Sequence, residues 1–284
     1  MRHWLIAIIP TACLLCAACS GSAPRWRAGL SYHDLSYDSL CRLREARIEC
    51  VEVTLSDILK LPPGQHTAKC AEIRENARKA GVELWSVHIP YGKAWDISVT
   101  DAAGHAKVMK SMREAIELCA LLAPKKAIIH ASAEPIRDSD RRRRLEVCRK
   151  ALAELTPGFS KIHVQLALED LPRTCLGNTS DEILWLINGI GGLGVCFDTN
   201  HLLKETPEQF VRKVGPHIVT LHVADYDGKD ERHWMAGEGI VNWPVVIREL
   251  QTAGYSGPWL YETGKHKSGA KLELSEYVRF LKRM

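Results

Sequence analysis

In this 284-residue chain six residues of types that ligate metals or carry protons each close a short apolar run: His88, His130, Glu169, Asp198, His222 and Glu262. The runs end Val87-His88, Ile129-His130, Leu168-Glu169, Phe197-Asp198, Leu221-His222 and Tyr261-Glu262. A single polar residue where a strand leaves the core is ordinary. Six in succession, all of ligating type, point to one site. Glu169, Asp198, His222 and Glu262 are the strongest set. Three carboxylates and an imidazole make a mostly oxygen site, suited to one divalent ion (Mn, Mg, Co or Zn) rather than a soft thiophilic metal. Without a cation such carboxylates would repel one another. His201, three residues after Asp198, and His233 suggest a second layer, as ligands or as hydrogen-bonding partners of a substrate.

These residues need a scaffold that brings strand ends together. From Arg27 onward short apolar runs alternate with longer amphipathic ones, the pattern of strand–helix units around a parallel sheet. Strands are expected at 28–32, 50–55, 83–88, 126–130, 163–169, 194–198, 218–222 and 259–262. Helices are expected between them, for example at 67–80, 103–122, 141–155, 180–190 and 273–282. Thr179 followed by Glu182 predicts a capping box. Eight such units in one domain predict a closed (β/α)8 TIM barrel, whose active site lies at the C-terminal ends of its strands. An open doubly wound sheet would carry a Gly-rich phosphate loop after its first strand. His33-Asp34-Leu35-Ser36 has none, and Gly189 to Gly194 precede a strand, so they read as a turn.

The barrel is expected at 27–284, after an export signal. Arg2 and His3 give a basic start, and the apolar run Trp4–Ala18 is too short to span a bilayer comfortably; it fits a secretory signal over residues 1–18. Small residues before Cys19, then Ser20-Gly21-Ser22, resemble a bacterial lipoprotein signal, with Cys19 lipidated and 19–26 a short linker. The expected location is therefore exported, periplasmic or membrane-anchored, with the lipid as the membrane contact. The roughly 265 remaining residues suit one barrel of ~250. The net charge of +4 is small, and part of it falls in Arg141–Arg144, read as the solvated start of a helix. That balance argues against a nucleic-acid partner. Cys41, Cys50, Cys70, Cys119, Cys148, Cys175 and Cys196 show no zinc-finger spacing; buried thiols are expected, with room for a disulfide or two.

Phe197-Asp198-Thr199-Asn200-His201, Leu221-His222-Val223-Ala224-Asp225, Arg232-His233-Trp234-Met235-Ala236-Gly237-Glu238-Gly239 and Leu260-Tyr261-Glu262-Thr263 resemble the xylose isomerase-like barrel superfamily over nearly the whole mature chain. That superfamily includes sugar isomerases and epimerases and the endonuclease IV type of repair enzyme. The resemblance implies a divalent metal on Glu169, Asp198, His222 and Glu262, with Glu169 and Glu262 also serving as acid and base. The implied reaction removes a proton beside a carbonyl while the metal stabilises the enediolate. His88, His130, His201, Arg173, Arg232, His233 and Trp234 are then expected at the carbohydrate substrate. Trp234 and Trp95 are candidates to stack on a sugar ring. A homodimer is the assembly allowed for.

Three other functions use the same residues. A 3-keto-glycoside lyase or hydratase would abstract the same proton and then eliminate the C1 substituent, and export favours that chemistry over cytoplasmic sugar phosphates. An endonuclease IV-like phosphodiesterase would hold three zinc ions on His88, His130, Glu169, Asp198, His201, His222, His233 and Glu262, with Glu231 where that family has aspartate. A non-catalytic sugar-binding lipoprotein would be expected to lose one of the two acid/base glutamates, and both are present.

Overall fold

The computed structural model describes residues 26–283, so residues 1–18 and Cys19 lie outside the described part. All eight expected strands are present: β1 (Ala28–Ser31), β2 (Ile48–Thr54), β3 (Glu83–His88), β4 (Lys126–His130), β5 (Gln165–Glu169), β6 (Gly194–Asp198), β7 (Ile218–His222) and β8 (Trp259–Tyr261). From β1 to β7 each pairs in parallel with the next in sequence, and β1 also pairs with β8. Between β7 and β8 the ring closes more thinly. Val223 N–H donates to Leu260 O (2.8 Å) and Glu262 N–H to Val223 O (3.1 Å).

Around the sheet run α1 (Tyr37–Glu45), α2 (Leu55–Leu59), α3 (His66–Ala80), α4 (Ala102–Leu122), α5 (Asp138–Lys161), α6 (Ser180–Ile187), α7 (Pro207–Val214), α8 (Trp243–Thr252) and α9 (Leu274–Arg283). Two expectations about helix starts need correction. Thr179 accepts from Glu182 N–H, but the Glu182 carboxylate is taken by Arg141 and by Gly177 N–H, so only half of a capping box forms. The reciprocal box sits instead at Thr206 and Gln209. The arginine run is not uniformly solvated either. Arg142 is exposed and meets only Glu146 one turn on, at 3.4 Å, whereas Arg141 grips Glu182, Thr174 O and Cys175 O, and Arg144 grips Asp96 and Ser98. A helix turns 100° per residue, so residues one and two apart face different surroundings.

Strand side chains alternate between the barrel interior and the helix layer. Ile128, Ala167 and Cys196 make a small apolar plug with Val219, separate from the main core. Two residues further along the same faces stand His130, Glu169 and Asp198. The alternating residues Ile129, Leu168, Phe197 and Leu221 pack outward under the helices. The Gly189–Gly194 run is indeed a turn into β6, with left-handed Gly189 and Gly192 (φ 76° and 88°). At the opposite end of the barrel Trp26, placed by the sequence reading in the linker, is core. Its ring stacks on Trp259 at 5.2 Å and its indole N–H donates to Tyr255 O.

Candidate metal centre and catalytic site

Glu169 stands at the centre of the mouth, fully buried. Its Oε1 lies 2.8 Å from His222 Nδ1, and its Oε2 lies 2.9 Å from His130 Nε2 and 3.3 Å from His88 Nε2. Glu262, just past β8, also reaches His222 Nδ1, at 3.1 Å. Asp198 is fully buried; its Oδ1 accepts from Asn200 N–H (2.6 Å) and its Oδ2 lies 3.4 Å from His201 Nδ1. Glu169, Asp198, His222 and Glu262 each offer a ligand atom within 4.8 Å of the others. The strand ends thus bring the four expected ligands to one point.

Among the described residues four further groups meet that geometry: His88, His130 and Glu169; His88, His222 and Glu262; Glu169, Cys196 and His222; and His201, Glu231 and His233. The histidines are turned in a consistent way. Nδ1 of His88 lies 2.8 Å from Ile89 O, that of His201 2.8 Å from Asp170 O, and that of His233 3.0 Å from Glu262 O. A carbonyl only accepts, so each Nδ1 carries the proton and, in the neutral ring, each Nε2 presents a lone pair. Nε2 of His88 faces Glu169, and Nε2 of His201 faces Glu231 Oε2 at 3.1 Å. Outer hydrogen bonds that leave the inner nitrogen free are how proteins prepare histidines for metals.

Burial and charge divide the carboxylates. Burial pushes the Glu169 carboxyl up, but His222 and His130 outweigh it and hold it well below the usual range. Burial pushes Glu262 up to about 7, with Glu169 and Asp198 adding repulsion against the pull of His222. Burial also works to discharge His88, yet Glu169 raises it to about 9. Asp170 is raised well above its ordinary value by burial and by Asp198, and its Oδ1 accepts from Asp198 N–H at 2.8 Å. Glu169 Oε2 and Asp198 Oδ2 are buried with no donor in hydrogen-bonding geometry. Buried anionic oxygens left bare are costly. Together with the imidazole nitrogens turned toward the same point, they fit a divalent cation.

The cavity over these residues measures about 330 Å³. A larger groove of about 950 Å³ runs between α8 and α9 and contains none of them. His88, His130, His201 and His233 line the cavity as expected, with Arg173 at its edge. Arg173 is committed, however: Glu134, Asp230 and Glu231 hold its guanidinium at 2.7, 2.7 and 2.8 Å, so it ties three loops together instead of presenting a free cation. Arg232 pairs with Asp227, and Trp234 lies under the Lys267 ammonium; neither lines the cavity. Trp95 packs against the core. The aromatic ring at the mouth is Tyr91, 67% exposed and stacked on His130 at 4.9 Å. Loop side chains escape sequence reading because no periodicity fixes their direction. Glu52 was missed for another reason: it lies mid-strand in β2, wholly buried, 3.0 Å from His222 Nε2. A lone acid between Val51 and Val53 was the available signal.

The family model described as xylose isomerase-like TIM barrel matches residues 42–284, and the chain belongs to that family. An uncharacterized protein of Methanocaldococcus jannaschii is 29% identical over 140 residues, 46% of this chain. The match spans about half (48%) of that relative's own length. Among solved structures, a D-psicose 3-epimerase crystallised in the presence of D-fructose superposes with a TM-score of 0.74 at 19% identity, covering 90% of this chain and 97% of the other. The IOLI protein with a bound zinc atom superposes with a TM-score of 0.69 at 16% identity, covering 89% and 95%. The eight-stranded barrel is shared with both.

Proposed function

We propose that this protein is a divalent-metal-dependent enzyme that moves a proton beside the carbonyl of a sugar, as an isomerase or epimerase. The observation that carries the reading is the pair of glutamates, Glu169 and Glu262, converging on His222 Nδ1 at 2.8 and 3.1 Å. Glu169, Asp198, His222 and Glu262 would hold the ion, which supplies polarisation of the carbonyl when bound. Glu169, kept ionised by its histidine neighbours, takes the proton; Glu262 returns one to the neighbouring carbon or to the opposite face. Epimerisation needs two such groups on opposite faces of the carbon, and Glu169 and Glu262 come to the site from separate strand ends, those of β5 and β8. His88 and His130 line the cavity where hydroxyls would lie, and the exposed face of Tyr91 offers a platform for a sugar ring. The likeness to a D-psicose 3-epimerase supports the substrate class.

The same apparatus serves a 3-keto-glycoside lyase if the carbanion expels a C1 substituent. Export, with a lipid on Cys19, is part of the proposal and is supported by residues 2–22 alone. Incubation of the metal-loaded protein with keto-sugars and 3-keto-glycosides in deuterated water tests the reading. Deuterium at the carbon beside the carbonyl is expected, with aglycone release marking the lyase. No exchange with any such substrate, at full metal occupancy, would overturn it.

One observation favours a second reading, a multi-ion phosphodiesterase of the endonuclease IV type. The ligand groups His88–His130–Glu169 and Glu169–Asp198–His222–Glu262 share Glu169, and His201–Glu231–His233 adjoins them. Elemental analysis separates the two. One ion per chain supports the sugar enzyme; three zinc ions with cleavage of abasic DNA support the nuclease.

A further inference from the structure

Glu52 is a full carboxylate sealed inside the barrel, two residues short of the end of β2 and outside the groups that could ligate an ion. Its Oε2 receives two neighbours: the Ser86 hydroxyl at 2.7 Å, from β3, and His222 Nε2 at 3.0 Å, from β7 across the barrel. Its Oε1 is buried with no hydrogen-bond partner. A buried acid with a bare oxygen is expensive to keep, and an apolar residue would satisfy the plug beneath the site at no such cost. His222 differs from His88, His201 and His233. Their Nδ1 atoms are spent on carbonyls and their Nε2 atoms face inward, whereas His222 turns Nδ1 toward Glu169 and Glu262. Something must hold the proton of His222 on Nε2, and no backbone carbonyl does so among the described residues.

We propose that Glu52 is the positioning residue of the metal centre. It accepts from His222 Nε2–H and so fixes the tautomer that leaves Nδ1 free for the ion, while the Ser86 hydroxyl fixes Glu52. A carboxylate in this role also makes the ligand nitrogen a stronger donor than a carbonyl partner would. The inference rests on the proposed metal-dependent reading for its consequence, but the tautomer itself belongs to the chain alone.

Glu52→Gln keeps the volume and removes the charge. Zinc affinity of the purified protein, by competition with a chromophoric chelator, is expected to fall about 10–100-fold. The ¹⁵N shifts of His222 in the metal-free protein, recorded at a pH high enough for the ring to be neutral between its carboxylate neighbours, should move from a single Nε2–H tautomer to a mixture. Ser86→Ala, the gentler change, should give a smaller loss in the same direction and serves if Glu52→Gln does not fold. Wild-type zinc affinity together with unchanged His222 shifts in a folded variant would overturn the proposal. A wild-type protein that binds no ion would end the metal reading. The His222 shifts would still decide this one: an Nε2–H tautomer lost in Glu52→Gln upholds it, and an Nδ1–H tautomer in the wild type sinks it.

Discussion

The two ends of this barrel are built on opposite terms. At the N-terminal end Trp259 is covered by Trp26, Trp243 and Phe280, with ring centroids 5.2, 5.6 and 6.5 Å away. That end leaves the Trp259 indole nitrogen without a partner, but the mouth gathers more such buried polar atoms: Glu52 Oε1, Glu169 Oε2, Asp170 Oδ2, Asp198 Oδ2 and Asn200 Nδ2. One end accumulates apolar contact and gives stability. The other concentrates charge that the fold alone does not satisfy, the usual condition of a site shaped for a ligand. The contrast teaches that the fold is held from below and chemistry is done above, so substitutions at the two ends should fail in different ways.

The largest expected break is Glu169→Gln. Loss of a positioned general base should lower the rate of proton exchange by about 10²–10⁴-fold, with the far-ultraviolet dichroism of the folded protein retained. Trp259→Ala should do the reverse. It should cost about 3–5 kcal/mol of unfolding free energy, read by urea titration, while zinc affinity per folded molecule stays within a few-fold of wild type. If Trp259→Ala weakens zinc binding as much as it weakens the fold, the separation between the ends is wrong.

A pH titration sharpens the comparison further. The Glu231 carboxyl is held down at about 2 by its hydrogen bond to His201, with Arg173 assisting against burial. An unfolded glutamate titrates near ~4.3, so the stability Glu231 confers is complete above that pH and drains away as pH falls toward 2. In the metal-free protein, urea titrations between pH 4.5 and 2.5 should show this acid sensitivity, about 1–2 kcal/mol, reduced in Glu231→Gln. The smallest effect is expected at Arg142→Ala, within about 0.5 kcal/mol. Arg144→Ala, two residues on, should cost about 2 kcal/mol because Asp96 and Ser98 lose their partner. Equal Tm values for the two arginine variants would show that the run is solvated throughout.

Much of this was legible in the sequence because a barrel is periodic. Alternation placed all eight strands, and strand ends converge by topology, so His88, His130, Glu169, Asp198, His222 and Glu262 could be named together before any coordinates. The loops obey no such rule. Arg173, Arg232 and Trp234 each stood beside a ligand in sequence, yet the first is neutralised by three carboxylates and the other two turn toward Asp227 and Lys267. Glu52 was hidden differently. It reads as a strand residue, and its partner His222 is 170 residues away. Only closure of the barrel makes them neighbours.

That closure is uneven, and the unevenness falls on the two glutamates. Glu169 sits between complete ladders, opposite His130 on one side and Cys196 on the other. Glu262 follows a strand of three residues and is tied to β7 through Val223 at the thin joint of the ring. Backbone with fewer hydrogen bonds opens at lower cost. Glu169 is thus set in the closed part of the ring and Glu262 beside its joint. An ion held by His222 at the end of β7 and Glu262 just past β8 would act as a clasp across that joint, where the ring is joined most thinly.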